Sequence, residues 1–221
     1  MLNVLLLGDS ITKGQYIDPS ITWTTLVELD STLKQLGLHF YTSCVSGETS
    51  TKMLDRLIIE LESYPPHILF IQVGLNDANH WKSEGGLHPR TSPGRFQANL
   101  EEMIMRSRLG GVDKIILSTM HKVEKQIDCN GKPFEFFRNT YNDIIRGVAL
   151  ASHVDIFDLD QICKKNFSVH YLLPKPDLLH LSELGHKWFY THLKEFLLKN
   201  DLDSAKVRLS RPNIQTNTDW T

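Results

Sequence analysis

The chain has 221 residues and a formal net charge of −2, long enough to bury a core and too evenly charged to favour nucleic acid or an anionic membrane surface. Hydrophobic residues at 41% and charged residues at 23% give the balance of an ordinary globular domain, not of a disordered one. Cys44, Cys129 and Cys163 are an odd number with no CxxC pair, so neither a disulfide framework nor a zinc knuckle is expected, and a reducing, cytoplasmic setting is.

The first apolar run, Val4-Leu5-Leu6-Leu7, has no basic region before it and stops at Gly8-Asp9. It is too short for a signal-peptide core or a membrane span, so it predicts a buried strand, and export is not expected. From there, short apolar runs alternate with helix-period segments, the pattern of βαβ units around a parallel sheet. Strands are predicted at residues 3–7, 39–45, 67–73, 114–118 and 154–157, and helices at 22–36, 51–63, 93–109, 135–151 and 183–199. In the second helix Met53, Leu54, Leu57, Ile58 and Leu61 follow a period of about 3.6, with Asp55, Arg56 and Glu60 opposite. No repeat or Gly/Ser-rich linker divides the chain, which predicts one domain over residues 1–200 and a polar tail over 201–221. Residues 78–92, with Gly85, Gly86 and Pro89, read as a long loop of the functional kind.

The chemistry-bearing residues fall at strand ends. Gly8-Asp9-Ser10 follows the first strand, and open parallel sheets bind ligands beyond the carboxyl ends of their strands. A serine hydroxyl there needs a base to take its proton. Asp177-Leu178-Leu179-His180 supplies a histidine and a carboxylate three residues apart, near enough in a tight turn for one to orient the other. Ser182 is the predicted N-cap of the last helix. Donors for a developing oxyanion are available at Ser46-Gly47-Glu48 after the second strand and at Asn76 after the third. Each of these segments also has an ordinary reading as turn chemistry; together they point to nucleophilic catalysis.

The blocks Gly8-Asp9-Ser10-Ile11, Gly47, Gly74-Leu75-Asn76-Asp77 and Asp177-Leu178-Leu179-His180-Leu181-Ser182 resemble, in order and spacing, those of the SGNH (GDSL) serine hydrolases. The stretch Ser46-Gly47-Glu48-Thr49-Ser50 is similar to that of the bacterial thioesterase/lysophospholipase members. The chain departs from many members at Thr42-Ser43-Cys44, where they carry Asn-x-Gly. The resemblance implies an α/β fold, a flavodoxin-like three-layer α/β/α sandwich with a five-stranded parallel sheet. It also implies Ser10 as nucleophile, His180 as general base and acid, and Asp177 as its orienting carboxylate. The oxyanion hole would be the Ser10 and Gly47 backbone N–H groups with the Asn76 side chain.

Ten histidines raise a metal site, but no i, i+4 pair or HExxH occurs, so no metal and no cofactor is expected. The expected partner is a small-molecule ester, with short acyl groups and O-acetyl groups on a carbohydrate foremost. Trp81 is suited to stack on a sugar ring, and Arg90 to pair with a substrate carboxylate. A thioesterase or lysophospholipase, an acyltransferase using the same triad, and a binding module without catalysis are the alternatives.

Overall fold

Five apolar runs build one sheet in a computed structural model that describes residues 1–80, 88–124, 128–129 and 131–200. The strands are β1 (Leu2–Gly8), β2 (Leu38–Cys44), β3 (Ile68–Gln72), β4 (Lys114–Ser118) and β7 (Asp155–Phe157), all parallel in the order β2-β1-β3-β4-β7. Two short strands, β5 (Asp128–Cys129) and β6 (Lys132–Pro133), form a separate antiparallel ribbon. Every residue of β3 is buried, as is all of β1 except half-buried Asn3, which is why these strands read as continuous apolar runs.

The chain steps outward from β1 to β2 and then reverses through β3, β4 and β7. Right-handed crossovers therefore put the connecting helices on opposite faces. On one side α2 (Trp23–Leu29) packs against α9 (Glu183–Lys199); on the other α4 (Ser50–Ser63), α6 (Pro93–Leu109) and α7 (Phe134–Ala151) pack in series. The short helices α1 (Ser10–Lys13), α3 (Ser31–Gln35), α5 (Leu75–Ala78) and α8 (Leu159–Asn166) complete the set described. This is the three-layer α/β/α arrangement with a flavodoxin-like strand order that the resemblance implied.

The helix expected over 22–36 is broken. Asp30 is extended, with φ −64° and ψ 118°, and its Oδ1 accepts the Leu33 N–H at 2.9 Å, starting α3 afresh. Its other oxygen accepts from Lys194 at 2.7 Å and from the Tyr190 hydroxyl, pinning α9 across the layer. The tail 201–221 lies outside the described residues.

Strand register decides where chemistry can sit. Gly8 is paired with Cys44 and Gln72, Gln72 with Ser118, and Ser118 with Phe157. The carboxyl ends of the strands thus finish level, and their following loops share one rim. The strand order reverses between β1 and β3, so Ser10 and Asn76 flank the switch point.

Candidate active site

Ser10 enters this rim as the first residue of α1. A methyl group on Gly8 would lie 1.8 Å from Thr12 Oγ1, so only glycine lets α1 fold straight back over the end of β1. Asp9 caps the helix, its Oδ1 accepting the Ile11 N–H at 2.9 Å. Trp23 fastens the turn from below: its indole N–H donates to Ile11 O and its backbone N–H to His186 Nδ1, both at 3.1 Å. The Ser10 turn is thereby tied to α9, the helix that follows the His180 loop.

That loop is closed by a bridge between Leu172 and Leu181 and by the Leu173 N–H donating to His180 O at 2.8 Å. Inside it, Asp177 Oδ1 accepts the N–H groups of Leu179 and His180 at 2.9 and 2.6 Å. Its Oδ2 is left for His180 Nδ1, 2.8 Å away. A carboxylate accepting at Nδ1 keeps the ring proton there, so Nε2 is the basic nitrogen. It stands 3.0 Å from Ser10 Oγ, across 170 residues of sequence. Burial works to raise the Asp177 carboxyl, but hydrogen bonds from the His180 ring and backbone prevail and hold it below its ordinary value. Behind the loop, fully buried His121 donates from Nε2 to Leu179 O at 2.9 Å; burial pushes its pKa down to about 4. Tyr16 and Leu178, with φ of 70° and 50°, are non-glycine residues in the left-handed region, a strain that clusters at functional sites. The Tyr16 ring stands edge-on to His180 with centroids 5.4 Å apart.

Ser10, Gly47, Asn76 and His180 line one cleft of about 320 Å³. Gly47 has φ +76°, and a side chain there would meet nothing within 4 Å; the left-handed backbone, not space, calls for glycine. Among the described residues neither the Ser10 N–H nor the Gly47 N–H donates a hydrogen bond, which leaves two donors available beside the Asn76 amide. Asn76 Nδ2 donates to Asp9 Oδ2 at 3.2 Å, using one of its two N–H bonds. Asp9 is fully buried, and that burial, helped by the charge of Asp77 and opposed by the Ile11 N–H, pushes its pKa up to about 7.

Arg90 is placed otherwise than the sequence suggested. It is not among the residues lining the cleft. Its Nη1 donates to Asn76 Oδ1 at 3.1 Å and its Nη2 to Gly47 O at 2.9 Å, so its guanidinium bonds to the frame of the site. Trp81 lies outside the described residues. The departure at Thr42-Ser43-Cys44 is supported locally by Arg56, which donates to the Ser43 hydroxyl, to Gly8 O at 3.4 Å and to buried Glu48 at 2.7 Å. Asp9, His121 and the inward role of Arg90 were missed from sequence. The only signal for them was position, since Asp9 and His121 follow β1 and β4 as Ser10 and Asn76 follow β1 and β3.

Comparison with known proteins places the chain in a family. The chain is 27% identical over 179 residues to the uncharacterized lipoprotein YqeF of Bacillus subtilis, covering 71% of this chain and 70% of that one. It is 28% identical over 114 residues to the esterase TesA of Pseudomonas aeruginosa, 52% of each chain. Among solved structures, the acetyl xylan esterase AlAXEase superposes with a TM-score of 0.70 at 21% identity, over 89% of this chain and all (100%) of that one. That likeness speaks to the fold. Among the described residues no helix is long and apolar enough to cross a membrane. The model of the GDSL-like lipase/acylhydrolase family matches residues 6–188, and the chain belongs to that family of ester hydrolases.

Proposed function

We propose that the protein hydrolyses carboxylic esters of small or short-chain acyl groups through an acyl-enzyme on Ser10. The observation that carries this reading is the unbroken hydrogen-bonded chain from Ser10 Oγ through His180 to Asp177, at 3.0 and 2.8 Å. In the proposed reaction, His180 Nε2 takes the hydroxyl proton as Ser10 Oγ attacks the ester carbonyl, and the carbonyl oxygen gains the electron pair. The Ser10 and Gly47 N–H groups and the Asn76 amide receive that oxyanion, while Asp177 balances the imidazolium. His180 then gives the proton to the departing alkoxide, and water repeats the sequence to release the acid.

O-acetyl groups on a carbohydrate are the proposed natural target. A second reading has a specific observation behind it. A groove of about 650 Å³, lined by Tyr16, Ile17, Val169, Leu172, Leu178 and Leu184 among others, adjoins the cleft at Tyr16, and its apolar walls suit a longer acyl chain, as in a lysophospholipid or an acyl thioester. An intracellular location is proposed with the free thiols of Cys44 and Cys163 in mind; the name of the B. subtilis relative points the other way, and cell fractionation decides.

The test is Ser10→Ala, which should abolish both hydrolysis and labelling by a fluorophosphonate while circular dichroism is unchanged. Undiminished labelling of the variant would end the serine mechanism. Rates on acetylated sugars, acyl thioesters and 4-nitrophenyl esters then separate the two substrate readings.

A further inference from the structure

We infer that Arg90 is a positioning residue that holds two oxyanion donors in place before substrate arrives, a role resting on the reading above. One planar guanidinium spans both: Nη1 to the Asn76 side-chain oxygen at 3.1 Å, Nη2 to the Gly47 carbonyl at 2.9 Å.

Consider first what Asn76 would do without it. A primary amide has a donor end and an acceptor end of nearly the same shape, and either could face the cleft. Here a cation sits on the oxygen and the Asp9 carboxyl group accepts from the nitrogen at 3.2 Å. Turning the amide over would set N–H bonds against the guanidinium and a carbonyl against Asp9. The pair of neighbours therefore keeps the donor end where a substrate oxygen can use its second N–H. A cation on the amide oxygen also draws electron density from the nitrogen and sharpens it as a donor.

Gly47 has the complementary problem. With φ +76° and no side chain, its flanking peptides can rotate at little steric cost. A charge-assisted bond on its carbonyl opposes that rotation and so restrains the turn that presents the Gly47 N–H. Lysine cannot reproduce this, because a point charge lacks the fork that reaches two acceptors at once.

Arg90 is itself braced from the segment it serves. Its backbone N–H donates to Asn79 O at 2.7 Å, and the next residue, Thr91, donates to Asp77 O at 3.2 Å. The guanidinium also feels the charge of the buried Asp77 carboxylate. Residues 76–79 and 90–91 thus form one closed frame, and donors set in such a frame need no rearrangement as charge develops on the substrate.

The experiment is a kinetic cycle on the full-length protein with Arg90→Ala, Arg90→Lys, Asn76→Ala and the double variant Asn76→Ala/Arg90→Ala. Both Arg90 variants should lose kcat by about 10- to 100-fold with KM within about threefold, and by the same factor on 4-nitrophenyl acetate as on a larger ester. Millimolar guanidinium should restore part of the rate of Arg90→Ala and much less in the double variant, where only the bond to the Gly47 carbonyl is left to rebuild; the double variant's loss should be smaller than the product of the single losses. A loss confined to KM, or growing with substrate size, would overturn the inference in favour of direct substrate binding. Fully additive losses without rescue by guanidinium would overturn it in favour of general structural support. Failure of the underlying reading would show separately, as unchanged kcat in Asn76→Ala alone.

Discussion

The carboxylate of Asp77 caps a helix to which it is not joined. Both its oxygens lie 3.0 Å from the backbone N–H of Ser50, and Oδ1 accepts the Ser50 hydroxyl at 2.6 Å. The residue at the cap position of α4, Thr49, makes no side-chain capping bond of its own. Asp77 stands one residue after Asn76, so this bond pattern ties the start of α4 to the turn that carries Asn76. Asp77→Ala should therefore lower the free energy of unfolding by about 2–4 kcal/mol. Asp77→Asn, which keeps an acceptor for the N–H, should lose less than half of that. Urea midpoints measure both; equal losses would mean the charge itself, not the cap, is what matters.

Asn76→Ala should lower kcat by about 10²–10³-fold, the size expected for removing one oxyanion donor. KM should stay nearly constant, because the bond tightens only as charge reaches the carbonyl oxygen. Steady-state kinetics on a minimal acetyl ester test this directly. A change in KM alone would assign Asn76 to substrate binding.

The frame was legible in the sequence for physical reasons, and so were its gaps. β1 and β3 are covered on both faces, so they appear as unbroken apolar runs, and α4, α6, α7 and α9 carry a helix-period pattern long enough to read. The break at Asp30 was not legible, since it depends on Tyr190 and Lys194, which come from α9 160 and 164 residues later. α8 escaped because it has eight residues and its buried face holds charged Asp160 beside only Leu159 and Cys163. Ser10, Asp177 and His180 could be picked out by residue type and spacing. Arg90 showed only a charge on a long loop; its partners lie 14 and 43 residues away, and no local pattern reveals that its fork turns inward.

Asp9 gives the protein a pH-dependent weakness. Its pKa is raised from 3.8 to about 7, chiefly by burial, with Asp77 and Glu48 adding negative charge nearby. Below about pH 4 the residue is neutral in both folded and unfolded chains. Between there and pH 7 the unfolded chain releases the proton while the folded one keeps it, so stability falls across that window and the loss is complete above it. Asp9→Asn removes the titration. The variant should gain on the wild type as pH rises from 4 to 7, by on the order of 4 kcal/mol at most. Thermal melts across that range check it, and parallel curves for the two proteins would remove Asp9 as the cause.

Gly8→Ala should be among the most damaging single methyl additions. The new carbon would fall 1.8 Å from Thr12 Oγ1 and 2.4 Å from Thr12 Cβ, and Thr12 cannot swing aside freely because it is fully buried and donates to Gln72 Oε1 at 2.9 Å. α1 would have to lift off β1, taking Ser10 out of reach of His180. Expected outcomes are loss of fluorophosphonate labelling and a fall in stability of roughly 1–3 kcal/mol or more. Thr12→Gly in the same chain, by removing both atoms that the new carbon meets most closely, should recover part of the stability. A fully active Gly8→Ala protein would show that the turn has slack the structure does not suggest.

The groove beside Tyr16 decides between the two substrate readings. Its rim includes Tyr16, Val169 and Leu184, exposed by 72%, 49% and 56%, apolar surface left in water where the His180 loop meets α9. If an acyl chain lies there, each buried methylene contributes about 0.8 kcal/mol. Lengthening a butanoyl to an octanoyl ester would then raise kcat/KM by at most roughly 3 kcal/mol, or about 10²-fold. Leu184→Asp puts a charge on that rim with little risk to the fold, because the position is exposed and an acidic residue suits the first turn of α9. The variant should lose most of the gain on octanoyl esters and keep the wild-type rate on 4-nitrophenyl acetate, whose acyl group is too short to leave the cleft. A chain-length profile that is flat in the wild type, and unchanged by Leu184→Asp, would remove the groove from the substrate path and leave the carbohydrate-ester reading standing.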